Sequence, residues 1–423
     1  MNSELKGCMQ FVDESPTAYH AIANIQGQLD ANQAVQLSED KKWELQPGKT
    51  YYVIRNASAM IAFRLPQTFT GGFMVSATHA DSPCFKVKHA PEMASGEHYV
   101  KLNTEPYGGL IAYGWFDRAL TVAGRLIVRD GDKLTSKLVY VDQDLLVIPS
   151  LAIHKNRQVN DGIKIDMQKD MLPLLGCNKD EKLMEVVARS AGISADAIVD
   201  ADLCVVSREK GRCVGAAGEM LLSPRLDDLM CTYGCLSGFM KAEPTSNVNV
   251  LAVFDNEEVG SGTIQGADSD FLKATLLRIS EVLGEGCEAF QMHLAKSFLV
   301  SADNAHALHP NYPEKDDPVN APVMNGGIVL KHAANQKYCT DALSGARFAQ
   351  VCDKAGVPVQ HYYNRSGMPG GSTLGNISNT QLAMHGVDIG LAQLAMHSVS
   401  EVAGAQDVGH LVKAMEQFYC TGV

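Results

Sequence analysis

The run from Asn247 to Gly262, N-V-N-V-L-A-V-F-D-N-E-E-V-G-S-G, drives an apolar, β-rich segment into Asp255, Asn256, Glu257 and Glu258 and then stops on glycines. A short apolar run of this kind reads as a strand buried on both faces of a parallel sheet. Two adjacent carboxylates then stand at the strand's carboxyl end, where open α/β sheets bind their ligands. Neighbouring carboxylates repel each other unless a cation or a proton intervenes. A metal site is therefore one reading, and an acidic turn capping the next helix is the other. On extended backbone Glu257 and Glu258 would project in different directions, so one could ligate a metal while the other handles protons.

Working outward, helical and strand patterns alternate from Leu226 onward: helix 226–242, strand 247–254, helix 266–284, strand 297–302, helix 340–355 and strand 357–363. A last strand, V-D-I-G-L-A-Q, precedes a terminal helix with Val408, Leu411, Met415 and Phe418 at helical spacing. Upstream, Leu5 to Ala31 reads as helix interrupted at Ser15-Pro16. Tyr51 to Pro66 reads as a hairpin through Arg55-Asn56, and Gly71 to Thr78 as a short buried strand. Between Val87 and Gly218 the texture changes to glycine-punctuated β segments with an Asp130-Gly131 turn signal. The expectation is an α/β fold with a mixed, largely parallel central sheet flanked by helices. A β-rich domain (87–218) is inserted between its two parts (1–86 and 219–423).

The chain has 423 residues, 46% hydrophobic and 20% charged, an ordinary globular composition with room for two or three domains. No stretch is apolar enough to span a bilayer, and the N-terminus lacks a basic segment followed by a long apolar run, so cytoplasmic residence without a membrane partner is expected. Eleven cysteines without C-x-x-C pairing fit a reducing compartment, with Cys231 and Cys235 read as small buried side chains. Thirty-six basic against 48 acidic residues give a net charge of −12, which disfavours nucleic acid as a partner.

Metal-type ligands recur at the ends of apolar runs: His79 and Asp81; Asp227 and Asp228; Glu257 and Glu258; Asp303; and His397. Each has a plain structural alternative. Asp227 could cap a helix, Asp303 could form a turn, and His79 and His397 could be hydrogen-bonded core histidines. Together they match the mixed nitrogen and oxygen donor set of a zinc-type hydrolytic centre. In His79-Ala-Asp81, a carboxylate two residues away can also fix the tautomer of a ligating histidine.

With these segments the chain resembles the aspartyl aminopeptidases. The resemblance is carried by His79-Ala-Asp81-Ser-Pro, Ser223-Pro-Arg-Leu-Asp227, Asp255-Asn-Glu257-Glu258-Val-Gly-Ser, Ser301-Ala-Asp303-Asn-Ala-His306, His309-Pro-Asn-Tyr and Gln393-Leu-Ala-Met-His397-Ser. Further matches are D-E-S-P-T-A-Y-H-A, Y-G-G-L-I-A-Y-G-W-F-D-R-A-L-T-V-A-G-R, P-S-L-A-I-H and K-H-A-A-N-Q-K-Y. It implies a zinc-peptidase-like fold whose inserted domain dimerises, with dimers assembling into a dodecameric cage. It also implies two divalent metal ions per subunit, with zinc expected, bridged by Asp227. One would be held by His79 and Asp303, the other by Glu258 and His397. Glu257 would be the general base and acid, and Asp81 the support of His79. His154 would reach a neighbouring subunit's active site, where it could stabilise an oxyanion.

The same resemblance places Lys331 and His306 in a pocket for acidic N-terminal residues of peptides, although a lysine at the end of I-V-L-K could equally be a solvated strand terminus. Gly370, Gly371 and Ser372 could hold substrate through backbone and hydroxyl groups. One departure stands out in N-R-S-G-M-P-G-G-S-T-L-G: Gly367 occupies the place where the family commonly has an aspartate, and Gly370 stands where cysteine is frequent. A broader or neutral-residue aminopeptidase, a dimetal carboxypeptidase or amidohydrolase, and a non-catalytic assembly or cargo protein are the alternatives. No G-x-x-x-x-G-K-[ST], H-E-x-x-H or G-x-S-x-G pattern supports a nucleotide triphosphatase, a thermolysin-like protease or a serine hydrolase.

Overall fold

A computed structural model describes residues 2–368 and 370–423. Contacts divide the chain into two compact units. The first comprises Met1–Asp81, Gly211–Met396 and Glu401–Val423; the second comprises Ser82–Lys210 and His397–Ser400.

The first unit is built on a nine-stranded mixed sheet. At its centre Val248–Phe254 lies beside Phe73–His79, which lies beside Phe298–Ala302, which lies beside His385–Gly390, all parallel. Antiparallel pairing appears where Val248–Phe254 meets Ala59–Arg64 and where His385–Gly390 meets Ile328–His332. The sheet is thus mixed and largely parallel, as its alternating helices and strands imply. Every residue of Phe73–His79, Val248–Phe254 and Phe298–Ala302 is buried, because helices cover both faces. One covering layer includes Leu226–Lys241 and Asp407–Thr421, whose Leu229, Leu236, Leu411, Met415 and Phe418 join the larger core. The other includes Phe271–Val282, with Phe271, Leu276 and Ile279.

The interruption at Ser15-Pro16 separates helices Ser3–Asp13 and Ala18–Ala31. A proline cannot supply the N–H that would continue the first helix. The helix Ala342–Lys354 opens on a capping box in which Asp341 Oδ1 accepts the Ser344 N–H at 2.7 Å.

A small five-stranded sheet of the first unit joins Arg212–Val214, Met220–Ser223, Glu401–Gly404, Ala392–Leu394 and Ala305–His306. It explains why the first unit resumes at Gly211 rather than at 219. Arg212, Cys213 and Val214 pair with Leu222, Leu221 and Met220, which tie the segment to the first unit's core.

The second unit is a six-stranded antiparallel sheet around Leu102, Trp115, Leu120, Val122, Leu126 and Val205, with the helix Leu183–Ala191 adding Leu183 and Val187. Residues 397–400, placed by sequence with 219–423, go with this unit. The Ile111 N–H donates to His397 O at 2.9 Å, and Ser400 Oγ donates to Glu209 Oε2 at 3.2 Å. No helix among the described residues is long and apolar enough to cross a membrane.

Candidate metal centre

Parallel pairing aligns the carboxyl ends of the three central strands. Phe254 stands opposite His79, and Ser301 opposite Ala77. The residues that follow each strand therefore emerge along one edge: His79 itself with Asp81, then Glu257 and Glu258, then Asp303. Asp227 enters from the start of Leu226–Lys241, after Arg225 in a left-handed conformation (φ 58°). Asp227 and Asp228 have non-helical dihedrals and are joined by a cis peptide.

One ligand atom each from His79, Asp227 and Asp303 lie within 4.8 Å of one another, as do one each from His79, Glu257 and Glu258. His79 Nε2 is 3.5 Å from Asp227 Oδ1 and 3.9 Å from Glu257 Oε2. His79, Asp81, Asp227 and Asp303 are buried, and Glu257 and Glu258 are half-buried.

Glu257 and Glu258 do not lie on extended backbone as their position after a strand suggested. They sit in a 3₁₀ turn, Glu257–Val259, entered through Asn256 at φ 62°. The turn is fixed from two sides. Asp81 Oδ1 and Oδ2 accept the Glu257 and Glu258 N–H groups, each at 3.2 Å, and Asn256 Oδ1 accepts Thr263 Oγ1–H and Gln265 Nε2–H, each at 2.9 Å. His79 Nδ1 lies 3.1 Å from Asp81 O and 3.3 Å from Asp81 Oδ1. With two oxygens facing it, Nδ1 carries the proton, and Nε2 is the ring nitrogen that turns to the cluster.

So many carboxylates close together disturb one another. Burial, with Asp303, Asp227 and Asp81 adding to it against His79, pushes the Glu257 carboxyl up to about 8. Burial, together with Asp303 and Asp227, raises Asp228 well above the usual carboxylate range, and burial also raises Asp303. Burial pulls the His79 imidazole down, but the Asp227, Asp81, Asp228 and Glu257 carboxylates outweigh it and leave it well above its ordinary value.

Lys331, expected in a specificity pocket, is 2% exposed. Its ammonium donates to Asp303 O at 2.6 Å and Asn304 O at 3.1 Å, and lies 3.7 Å from Asp303 Oδ2. It stands behind Asp303 as a support. His306 is exposed, its ring edge-on to Tyr362 at 6.1 Å between centroids. Gly371 is exposed, and Ser372 Oγ donates to Asn376 Oδ1 at 2.9 Å. The loop they belong to is moored by Asp388, a fully buried carboxylate that accepts Thr373 Oγ1–H and the Cys339 N–H, each at 2.5 Å. Gly367 adopts φ 86°, a left-handed conformation that disfavours an aspartate there.

In the second unit, His397 Nδ1 donates to Gly109 O at 3.1 Å, and His154 is exposed in the turn Ile153–Lys155. Sequence reasoning gave Asn304 and Gln393 no role beyond the motifs that contain them, and gave Asp388 and Glu401 none. An aspartate inside the apolar strand V-D-I-G was a usable signal for Asp388; Glu401 gave none.

A family model described as Aminopeptidase I zinc metalloprotease (M18) matches residues 11–419. The chain is 43% identical to a probable M18 family aminopeptidase 2 of Clostridium novyi, over 97% of each chain. It is 40% identical to the Pseudomonas aeruginosa (strain UCBPP-PA14) protein of the same description, over 100% of this chain and 99% of that one. Among solved structures, a chain from the cryo-EM structure of the Ape4 and Nbr1 complex superposes with TM-score 0.96 at 35% identity, covering 99% of this chain and 85% of that chain. The S. cerevisiae mApe1 dodecamer gives TM-score 0.87 at 27% identity, covering 99% and 96%.

Proposed function

The chain belongs to the M18 family of zinc metalloproteases and is an aminopeptidase, and from that premise we propose a two-zinc centre acting on peptides with acidic N-terminal residues. Asp227 would be the shared ligand, His79 and Asp303 would complete one set, and Glu258 and His397 would complete the other. The observation that carries this is the convergence of His79, Asp227 and Asp303 within 4.8 Å, with His79 Nε2 buried and making no hydrogen bond among the described residues.

The donor set fits zinc. Imidazole and carboxylate are its usual ligands, and a cation would favour the charged forms of Glu257, Asp228 and Asp303 against the burial and the neighbouring carboxylates that raise them. When bound, zinc acidifies a water molecule toward neutrality and polarises the scissile carbonyl. This chain's residues do the rest. Glu257, half-buried beside His79, takes the proton of the attacking water and passes it to the departing amine. Asp81 holds His79 and the Glu257–Glu258 turn in one frame. Ser372 and the backbone at Gly371 line the path of the substrate. His306, exposed beside Tyr362, is the contact for an acidic side chain, since Lys331 is taken up by Asp303 and Asn304.

The likeness to a dodecameric relative supports assembly into a homo-oligomer, with the unit Ser82–Lys210 dimerising and His154 serving a neighbouring subunit as an oxyanion donor.

Metal analysis together with a panel of aspartyl, glutamyl, alanyl and leucyl substrates, with and without a blocked amine, tests the proposal. The expected result is two zinc ions per chain, dependence on a free amine, and highest kcat/KM on acidic residues. One zinc per chain at full activity rejects the two-metal centre. Faster turnover of leucyl than aspartyl substrates rejects the acidic preference.

A further inference from the structure

The small sheet of the first unit surrounds a buried polar chain that the reaction itself does not use. The Asp227 N–H donates to Glu401 Oε2 at 3.0 Å. Gln393 Nε2 donates to Glu401 Oε1 at 3.4 Å, and Gln393 Oε1 accepts Asn304 Nδ2–H at 2.9 Å. Asn304 Nδ2 also donates to Leu226 O at 2.9 Å, and its Oδ1 accepts the Cys231 thiol at 3.0 Å. Glu401, Gln393 and Asn304 are 2%, 1% and 3% exposed.

The strands explain the convergence. Ser223, four residues before Asp227, pairs with Glu401, and Gln393 pairs with Ala403 and His306 across the same sheet. Asn304 lies between Phe298–Ala302 and Ala305–His306, directly after Asp303. The chain of hydrogen bonds thus runs from the main chain of Asp227 to the residue beside Asp303. Lys331 secures the far side of the same turn by binding the Asp303 and Asn304 carbonyls.

A buried carboxylate is costly where an apolar side chain would fill the space, so it persists when its hydrogen bonds set a geometry. Asp227 supplies a reason for one. It lies in the first turn of Leu226–Lys241, where main-chain N–H groups have no partner within the helix, and Glu401 is the group that receives its N–H.

We propose that Glu401 is a positioning residue of the metal centre: it fixes the backbone of Asp227, and Gln393 and Asn304 lock that backbone to the turn carrying Asp303. The spacing between two ligand-bearing segments is then set by neutral amides and one carboxylate that touch neither metal nor substrate. The inference rests on reading Asp227 and Asp303 as ligands.

The test compares full-length E401A, E401Q, the swap E401Q/Q393E and D227N for zinc affinity by chelator competition, and for kcat and KM at saturating zinc. Circular dichroism and melting of the zinc-free proteins check folding. E401A is expected to weaken zinc binding by about 10- to 100-fold, the usual effect of removing an outer hydrogen-bond partner, and to lower kcat with little change in KM. The swap is expected to recover most of that loss. The amide at 401 still accepts the Asp227 N–H and donates to the carboxylate at 393, which accepts from Asn304. E401Q alone, which sets two amide NH₂ groups against each other, should fall between.

Zinc binding by E401A equal to that of the parent overturns the proposal. So does a loss that the swap leaves unrepaired, because packing alone then accounts for it. Where E401A fails to fold, E401Q against the swap decides on the same terms. Unaltered zinc binding by D227N would instead reject the ligand reading beneath the proposal, whereas loss in D227N without loss in E401A rejects only the role of Glu401.

Discussion

Asp81 accepts the main-chain N–H of Glu257 at 3.2 Å, so the carboxylate that faces His79 Nδ1 also sets where the Glu257 side chain begins. Its second oxygen does the same for Glu258. One aspartate thereby registers two neighbouring strand ends, and D81N should disturb both, since an amide can accept only one of these bonds and turns an NH₂ toward the other donor. We expect zinc affinity to fall by about 10- to 100-fold, together with kcat. Chelator competition and steady-state kinetics check this, and parental zinc affinity in D81N would remove Asp81 from the centre.

Glu257→Gln keeps the shape of the site and removes the proton carrier. Turnover should fall by roughly 10²- to 10⁴-fold while zinc content stays at the parental value. Undiminished kcat would show that another group moves the proton.

Lys331 and His306 should separate cleanly. Lys331→Met leaves Asp303 and two carbonyls facing an apolar group, and the loss of a buried partner costs on the order of 3 kcal/mol in the zinc-free protein. Activity should drop alike on aspartyl and alanyl substrates, so their kcat/KM ratio holds. His306→Gln should leave the melting curve in place and lower that ratio by about 10-fold or more, the worth of a hydrogen bond to a charged group. A ratio that collapses in K331M and survives in H306Q would reverse the assignment.

His20 provides a further pH marker. Burial, with Arg225 adding to it, pushes its imidazole from 6.5 down to about 4, and Nδ1 lies 2.8 Å from Thr17 Oγ1. The folded state therefore binds this proton more weakly than the unfolded state does. The neutral imidazole's stability is fully present above pH ~6.5 and is lost as pH falls toward ~4, by up to roughly 3 kcal/mol. Denaturant unfolding of the parent and of H20Q at pH 7, 6, 5 and 4 should show the parent losing more stability over that window. Parallel losses in the two proteins would refute the assignment.

Much of the catalytic unit was legible as pattern. The apolar run ending at Phe254 had to be a buried strand, and the alternation beyond Leu226 implied parallel neighbours. Acidic residues and histidines at strand ends then had to gather on one edge, because parallel strands share a direction. The limits of the second unit were less readable. Strand Arg212–Val214 looks like the β texture before it, yet pairing with Met220–Ser223 carries it into the first unit.

The sequence by itself determined which donors exist and on which strand ends they stand, since an apolar run followed by a carboxylate is a local property. Only the tertiary structure decided what each polar group faces. The resemblance puts Lys331 in a pocket for acidic residues, whereas in the fold its ammonium donates to the Asp303 carbonyl. Glu257 and Glu258 read as an extended pair, but Asn256 and Asp81 wind them into a turn. Glu401 carries no signal in its own neighbourhood because its partner, Asp227, is brought to it by strand pairing across the sheet. Hydrogen bonds between residues far apart in the chain depend on register, and register is settled when the sheet forms.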